Sequence, residues 1–284
     1  MGQQSLRNVR MGTHMESADP TITTLLADAR AAAVREDEDA RWGCVVALQA
    51  GGSETAFHQA AAWITSPLPL ERALGADILG QIGGSGESSP FRDRALPLLV
   101  SLLRDPDAVV LRAATVALGH LELRDPLESL VALATHSDAG VRHGVVLALS
   151  RNDAPLAIAT LIQLSADEDE HVRDWATFGL GSQTDVDIPE LRAALVARLD
   201  DPNDDARAEA FMGLARVRDA RAHTPILREL RSERVGKLAV EAARDFPSPV
   251  FLDALLQLIS WWDVDSELLE SAIARCREVN QKLV

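Results

Sequence analysis

The chain has 284 residues and a formal net charge of −15, from 28 Lys+Arg against 43 Asp+Glu. A surface this acidic repels phosphate backbones, which excludes nucleic acid as a general partner. No apolar run approaches the roughly 18–20 residues that span a bilayer. The two cysteines, Cys44 and Cys276, cannot form a disulfide framework, and neither lies in a Cys-x-x-Cys. The first residues lack a basic-then-apolar secretory pattern, so a soluble, cytoplasmic, core-forming protein is expected.

Residues 1–19 are polar and aperiodic, and are read as disordered or vector-derived. Residues 20–284 are read as one repeating array. Its late apolar residues Leu48, Leu79, Leu118, Leu149, Leu180 and Leu214 anchor segments that agree column by column. Eleven positions before the anchor stand Asp37, Leu68, Asp107, Asp138, Asp169 and Asn203. Seven before stand Arg41, Arg72, Leu111, Arg142, Arg173 and Arg207. Four before stand Cys44, Gly75, Ala114, Val145, Ala176 and Ala210. Anchor spacings are 31, 39, 31, 31 and 34 residues, and beyond Leu214 the pattern decays.

Each column has a helical meaning. Asp or Asn at the opening is an N-cap, accepting from otherwise unpaired N–H groups. At Leu68 the flanking Pro67 and Pro69 mark the start instead. Positions four and seven before the anchor share its helix face, and small residues four and one before it, such as Ala117, Ala148, Gly179 and Gly213, let helices approach closely. Between these B helices, apolar helical spacing predicts A helices over 92–104, 126–135, 155–164, 188–199, 224–230 and 250–259. Asp-Pro and Ser-Pro pairs punctuate the turns, and no stretch alternates long enough for a strand. One helix pair cannot bury its apolar stripe alone, whereas stacked pairs bury it along a shared core. The fold class is therefore an all-α solenoid of about eight helix pairs. The 39-residue spacing holds Gly83-Gly84-Ser85-Gly86-Glu87-Ser88-Ser89-Pro90, read as a tolerated loop insertion.

The run Leu102-Leu103-Arg104-Asp105-Pro106-Asp107 through Ala117-Leu118-Gly119 resembles the HEAT repeat, in the short variety named after phycobilisome lyases. Leu111 departs from that pattern in the Arg column. The resemblance covers about residues 21–280 and implies an Asp–Arg ladder between units, formed by Asp107, Asp138 and Asp169 with Arg142, Arg173 and Arg207. For function it implies an alternative, a bilin lyase-like or chaperone-like protein handling an elongated apolar ligand on a partner. One similar enzyme class, deoxyhypusine hydroxylase, holds two irons on His-Glu pairs. No His-Glu dipeptide occurs here, and Arg142-His143-Gly144 carries Gly at the Glu position.

No HExxH, Gly-x-Ser-x-Gly elbow or phosphate loop occurs. Cys44 and Cys276 read as packed thiols. No catalytic, cofactor-binding or metal residue is assigned. The informative feature is the B-helix face away from the core, two, five and six positions before the anchor at about 100° per residue. In consecutive units it carries Val116, Leu147, Phe178 and Met212, with Trp175 beside Phe178 and with Arg112, His143, Asp174 and Glu209 at the rim. Such residues either complete the core between repeats or form a concave apolar groove. The second reading predicts a non-catalytic scaffold or adaptor that binds a protein or peptide there. Trp261-Trp262 is a second candidate, one Trp in the core and the other a cap or contact.

Overall fold

The computed structural model describes residues 20–84, 89–123 and 127–281. The expected disordered segment at 1–19, and residues 85–88 of the expected loop insertion, lie outside the described residues. Among the described residues there are sixteen α-helices and no strand. They form eight pairs: α1 (Pro20–Val34) with α2 (Glu38–Gly51), α3 (Glu54–Trp63) with α4 (Pro69–Gln81), and α5 (Arg92–Ser101) with α6 (Ala108–His120). Then follow α7 (Glu128–Val131) with α8 (Ala139–Leu149), α9 (Pro155–Leu164) with α10 (Glu170–Ser182), and α11 (Pro189–Arg198) with α12 (Asp204–Arg216). The last are α13 (His223–Leu230) with α14 (Lys237–Asp245) and α15 (Leu252–Leu258) with α16 (Ser266–Gln281). Even-numbered helices are the B helices. Several A helices begin or end in a 3-10 turn, as at Leu102–Arg104 and Ala132–Thr135. No described helix is long and apolar enough to cross a membrane.

The N-cap residues do what their chemistry dictates. Asp37, Asp107, Asp138, Asp169 and Asn203 each accept from a backbone N–H two or three residues on. Leu68 caps nothing, and α4 starts on Pro69. All six anchor leucines are buried, in a core cluster that runs from Ile22 to Cys276. Cys276 is buried against the Ala243 carbonyl, and Cys44 is half-buried against the core. Trp262 is buried and donates from Nε1 to the Val235 carbonyl at 2.9 Å, while Trp261 is exposed.

The ladder exists, but with other aspartates than the resemblance implied. Asp107, Asp138 and Asp169 are occupied as N-caps. The partners are the acids two residues earlier, where each B helix of the following unit begins. Arg72 forks onto Asp105 at 2.7 and 2.9 Å, Arg142 onto Asp167 at 2.8 and 2.7 Å, and Arg173 onto Asp201 at 2.9 and 3.2 Å. The third guanidinium nitrogen donates to the carbonyl six residues upstream: Ser66, His136 and Asp167 respectively. Each Arg thus ties its own turn to the next through a planar, bidentate bond. Arg207 keeps the upstream bond, to the Asp201 carbonyl, and pairs with Asp204 on its own helix.

Between Arg72 and Arg173 one rung is missing, and both of its partners are replaced together. Leu111 stands where the Arg would be, and His136 where the Asp would be. His136 Nδ1 still accepts from the Asp138 N–H at 3.0 Å, as Asp105, Asp167 and Asp201 do for the residues two ahead of them. It retains the turn but cannot receive a guanidinium fork. A double-mutant cycle should show this: Leu111→Arg and His136→Asp each destabilise alone, and together recover a coupling of about 1–3 kcal/mol. Melts of the four proteins read the coupling, and purely additive effects would show that the geometry does not transfer between rungs.

The B helices pack on one another in sequence from α4 to α16, more intimately than the A helices do. Small residues permit it. A Cβ on Gly80 of α4 would stand 2.6 Å from the Ala117 Cβ of α6, and one on Gly213 of α12 would stand 2.6 Å from the Gly181 Cα of α10. The B helices are thus the more closely packed layer, and the side of that layer turned away from the A helices is the inner face.

Candidate interaction face

The inner face is closed at its N-terminal end. Residues 73–80 of α4 are all buried, because α1 and α2 both lie against this helix. Asp77, at a predicted face position, is buried and paired with Arg41 of α2. Burial pushes its carboxyl up to about 7, against the pull of Arg41. Trp42 packs half-buried on the core beneath the Arg41 guanidinium.

From α6 onward the face opens. Val116, Leu147 and Phe178 are half-buried, and none belongs to the core cluster or to the side chains packed against it. Met212, also half-buried, does pack against the core. The column predicted as one stripe therefore divides between both readings: three residues on the open face, and one finishing the core. Arg112 is exposed on α6 and lies 3.6 Å from Asp138, so it sits at the turn into α8 rather than with the aromatic residues.

The aromatic residues cluster. The Trp175 indole meets His143 edge-on at 5.6 Å and Phe178 edge-on at 5.7 Å, yet Trp175 remains 40% exposed. His143 from α8 and Phe178, one turn along α10, both brace the indole. Offset and edge-on aromatic contacts of this kind fix ring orientation. Burial pushes the His143 imidazole down, helped by His171, which favours a neutral ring. Its Nε2 is buried without a hydrogen-bond partner.

Beside the indole lies a cleft of about 380 Å3 lined by Asp174, Trp175, Phe178, Asp205, Glu209 and Leu238. Asp174 is half-buried, and burial and Asp205 push its carboxyl up. Glu209 is half-buried and accepts from the Ser182 hydroxyl at 2.6 Å. Burial and the charges of Asp174, Asp205 and Glu241 hold its carboxyl above the ordinary range. The sequence columns named Asp174, Trp175, Phe178 and Glu209, but missed Asp205, Leu238 and Glu241. Asp205 lies one helical turn before Glu209, outside the columns read. Leu238 and Glu241 lie on α14, where the repeat pattern had decayed.

A second depression, between Asp187, Arg192, Asp219 and Arg221, is an ion network at the outer turns. Its guanidinia are matched: Arg192 by Asp187 and Asp219, and Arg221 by Asp219. It leaves no unbalanced charge for a ligand.

Residues 96–181, from α5 to α10, match the family model described as HEAT repeats. The chain is 27% identical over 237 residues to Protein YibA of Escherichia coli (strain K12), covering 81% of this chain and 83% of that protein. The X-ray structure of the E. coli YibA superposes with a TM-score of 0.68 at 25% identity, over 92% of this chain and 98% of that one. The complex of CpcE and CpcF of phycocyanin lyase from Nostoc sp. PCC7120 gives a TM-score of 0.47 at 17% identity, over 95% and 100% of the two chains.

Proposed function

For a chain whose residues 96–181 match the HEAT-repeat model, we propose a non-catalytic role: a scaffold or adaptor that holds a partner protein or peptide on the inner face of its B helices. The observation that carries this is the run of apolar side chains open on that face. Val116, Leu147 and Phe178 come from three consecutive B helices, and Trp175 stands half-free beside them. A side chain that finishes a core is enclosed from all sides, as the six anchors are. Val116, Leu147 and Phe178 are enclosed less completely, each half-buried and outside the core cluster. A continuous apolar strip with a braced aromatic residue and a charged rim has the composition of an interface centre. Free thiols at Cys44 and Cys276 suit the reducing cytoplasm.

Val116→Asp with Leu147→Asp tests the role. Both positions lie outside the core cluster, so helical circular dichroism and melting should change little. Affinity capture from the native cell should lose the partner, with recovery down about tenfold or more, as expected for charge placed in an apolar interface centre. Undiminished recovery by a folded double variant would remove this face from the account.

A further inference from the structure

The end of the inner face formed by α10, α12 and α14 has a chemistry of its own, and the inference drawn from it rests on the docking role of that face. Asp174, Asp205 and Glu209 line the cleft there, and Glu241 on the next B helix, α14, acts on Glu209. Elsewhere in the molecule the ladder carboxylates, Asp105, Asp167 and Asp201, are each held by a guanidinium. Among the described residues, none of these four carboxylates is ion-paired. The positive groups nearest them are committed or weak. Lys237 is bound to Asp265 at 3.0 Å and Arg244 to Asp245 at 2.7 Å, and His171 acts on Asp174 only at a distance. The apolar floor is supplied by Phe178 and Leu238, and the wall by the free side of Trp175.

A cleft with unmatched negative charge around an open indole is complementary to a group that is cationic, planar and weakly hydrated. A guanidinium has these properties: it forks onto carboxylates and stacks on indole, whereas a lysine ammonium is a strongly hydrated point charge. A bound metal ion fits less well, since no group of three or more acidic, His or Cys side chains among the described residues is arranged to hold one. Three B helices at about 9–10 Å spacing span about 20 Å, the reach of about six extended residues. We propose that this end of the inner face binds an arginine-rich, extended segment of the partner, with one guanidinium over Trp175 between Asp174 and Glu209.

The electrostatics support this geometry. Asp174 faces Asp205, Asp201 and His171, and Glu209 faces Ser182, Asp174, Asp205 and Glu241. Burial and like charge push both carboxyls up. A bound cation relieves that strain and draws them down, so binding releases protons and weakens as pH falls through their raised values.

The probe is a fluorescently labelled peptide of alternating Arg and Ser, about ten residues long so that it can span the cleft extended. Its counterparts carry Lys or Gln in place of Arg, and binding is read by anisotropy to the full chain at neutral pH. The Arg peptide should bind, and the Lys peptide less tightly. The Gln peptide should be at least about tenfold weaker than the Arg peptide. Asp174→Asn with Glu209→Gln should cost at least about tenfold, and Trp175→Ala a similar factor. Glu128→Gln with Glu190→Gln, which removes two exposed carboxylates from α7 and α11, should cost nothing. That control has the same net charge as the first pair. Equal weakening by both pairs would mean diffuse attraction to an acidic chain and would overturn the proposal, as would equal binding of the Arg and Lys peptides. Asp174→Asn and Glu209→Gln remove half-buried charge that no cation balances, so this variant should melt no lower than the parent, and loss of binding is then not loss of fold. Peptide binding that is indifferent to the site variants, with partner capture still lost in Val116→Asp with Leu147→Asp, overturns the arginine assignment and leaves the scaffold role standing. Indifference in both experiments removes both.

Discussion

Asp201→Ala should destabilise the protein by about 3 kcal/mol, the scale for breaking a buried ion pair by deleting one partner, and lower the melting temperature by about 6–12 °C. Its carboxylate is buried and receives two Arg173 nitrogens at 2.9 and 3.2 Å, Arg198 Nη1 at 3.0 Å and the Asn203 N–H at 3.0 Å. Deletion leaves the mostly buried Arg173 guanidinium without its counter-charge and frees the turn that opens α12. Because a solenoid is held together by nearest-neighbour interfaces, the damage falls on the α10–α12 junction, and unfolding should become less cooperative there. Asp201→Asn retains an acceptor for the Asn203 N–H and should cost less. A melt of the Ala variant superimposable on the parent would show that the rung does not contribute to stability.

The pH dependence follows from the same group. Burial pushes the Asp201 carboxyl up, but Arg173, the Asn203 N–H and Arg198 together hold it below the usual carboxylate range. Asp105 and Asp167 are held down in the same way by Arg72 and Arg142. A carboxyl depressed in the folded state binds fewer protons there than in the unfolded chain. The stability it contributes is complete above the unfolded value of about 3.9 and is lost as pH falls through the folded value. Melting temperature should therefore fall steeply below about pH 4, and the slope should be shallower in Asp201→Ala.

Gly213→Leu should be comparably damaging, about 3 kcal/mol or more. A Cβ at this position would meet the Gly181 Cα at 2.6 Å and Leu195 Cδ1 at 2.8 Å. The first contact is backbone on a neighbouring helix, which no rotamer change relieves, so α10 and α12 must separate. Even Gly213→Ala should lose stability, although alanine is favoured over glycine within a helix by about 1 kcal/mol. Gly43 of α2 is the control, since a Cβ there meets nothing within 4 Å, and Gly43→Ala should gain roughly that propensity. Chemical denaturation of the three variants reads the contrast, and a neutral Gly213→Ala would show that the helices part at no expense. The spacing matters beyond stability, because Asp174 and Glu209 face each other across the α10–α12 contact.

Much of the architecture is legible from local chemistry. Asp107, Asp138, Asp169 and Asn203 cap their own helices, and capping acts over two or three residues of one chain segment. The anchor leucines are buried because a helix of period 3.6 turns them to one side whatever it packs against. The ladder shows where local reading stops. Asp107 and Asp105 are two residues apart, both are aspartate, and both lie at the same turn. Which of them meets Arg72 depends on how the next unit is set against the last. The ends of the B helices are similar. Glu122, Arg151 and Arg218 adopt φ of 51°, 64° and 53°, in the left-handed region that glycine usually fills, so composition offers no sign of the stop.

The inner face divides in the same way. Periodicity by itself determines that Val116, Leu147, Phe178 and Met212 share one side of their helices, and that Trp175 and Asp174 stand beside them. It also determines the stacked pairs, their caps and the acidic balance, since these follow from period, propensity and count. Only the tertiary structure decided that α1 and α2 close the face over α4, that Met212 turns to the core while Phe178 does not, and that Asp205 and Leu238 complete the cleft around Trp175 with Glu241 acting on it. The reason is physical: burial and unmatched charge belong to the distances between helices, and those distances are set by residues such as Gly181 and Gly213, whose lack of a side chain permits close approach, far from one another along the chain and in contact across it.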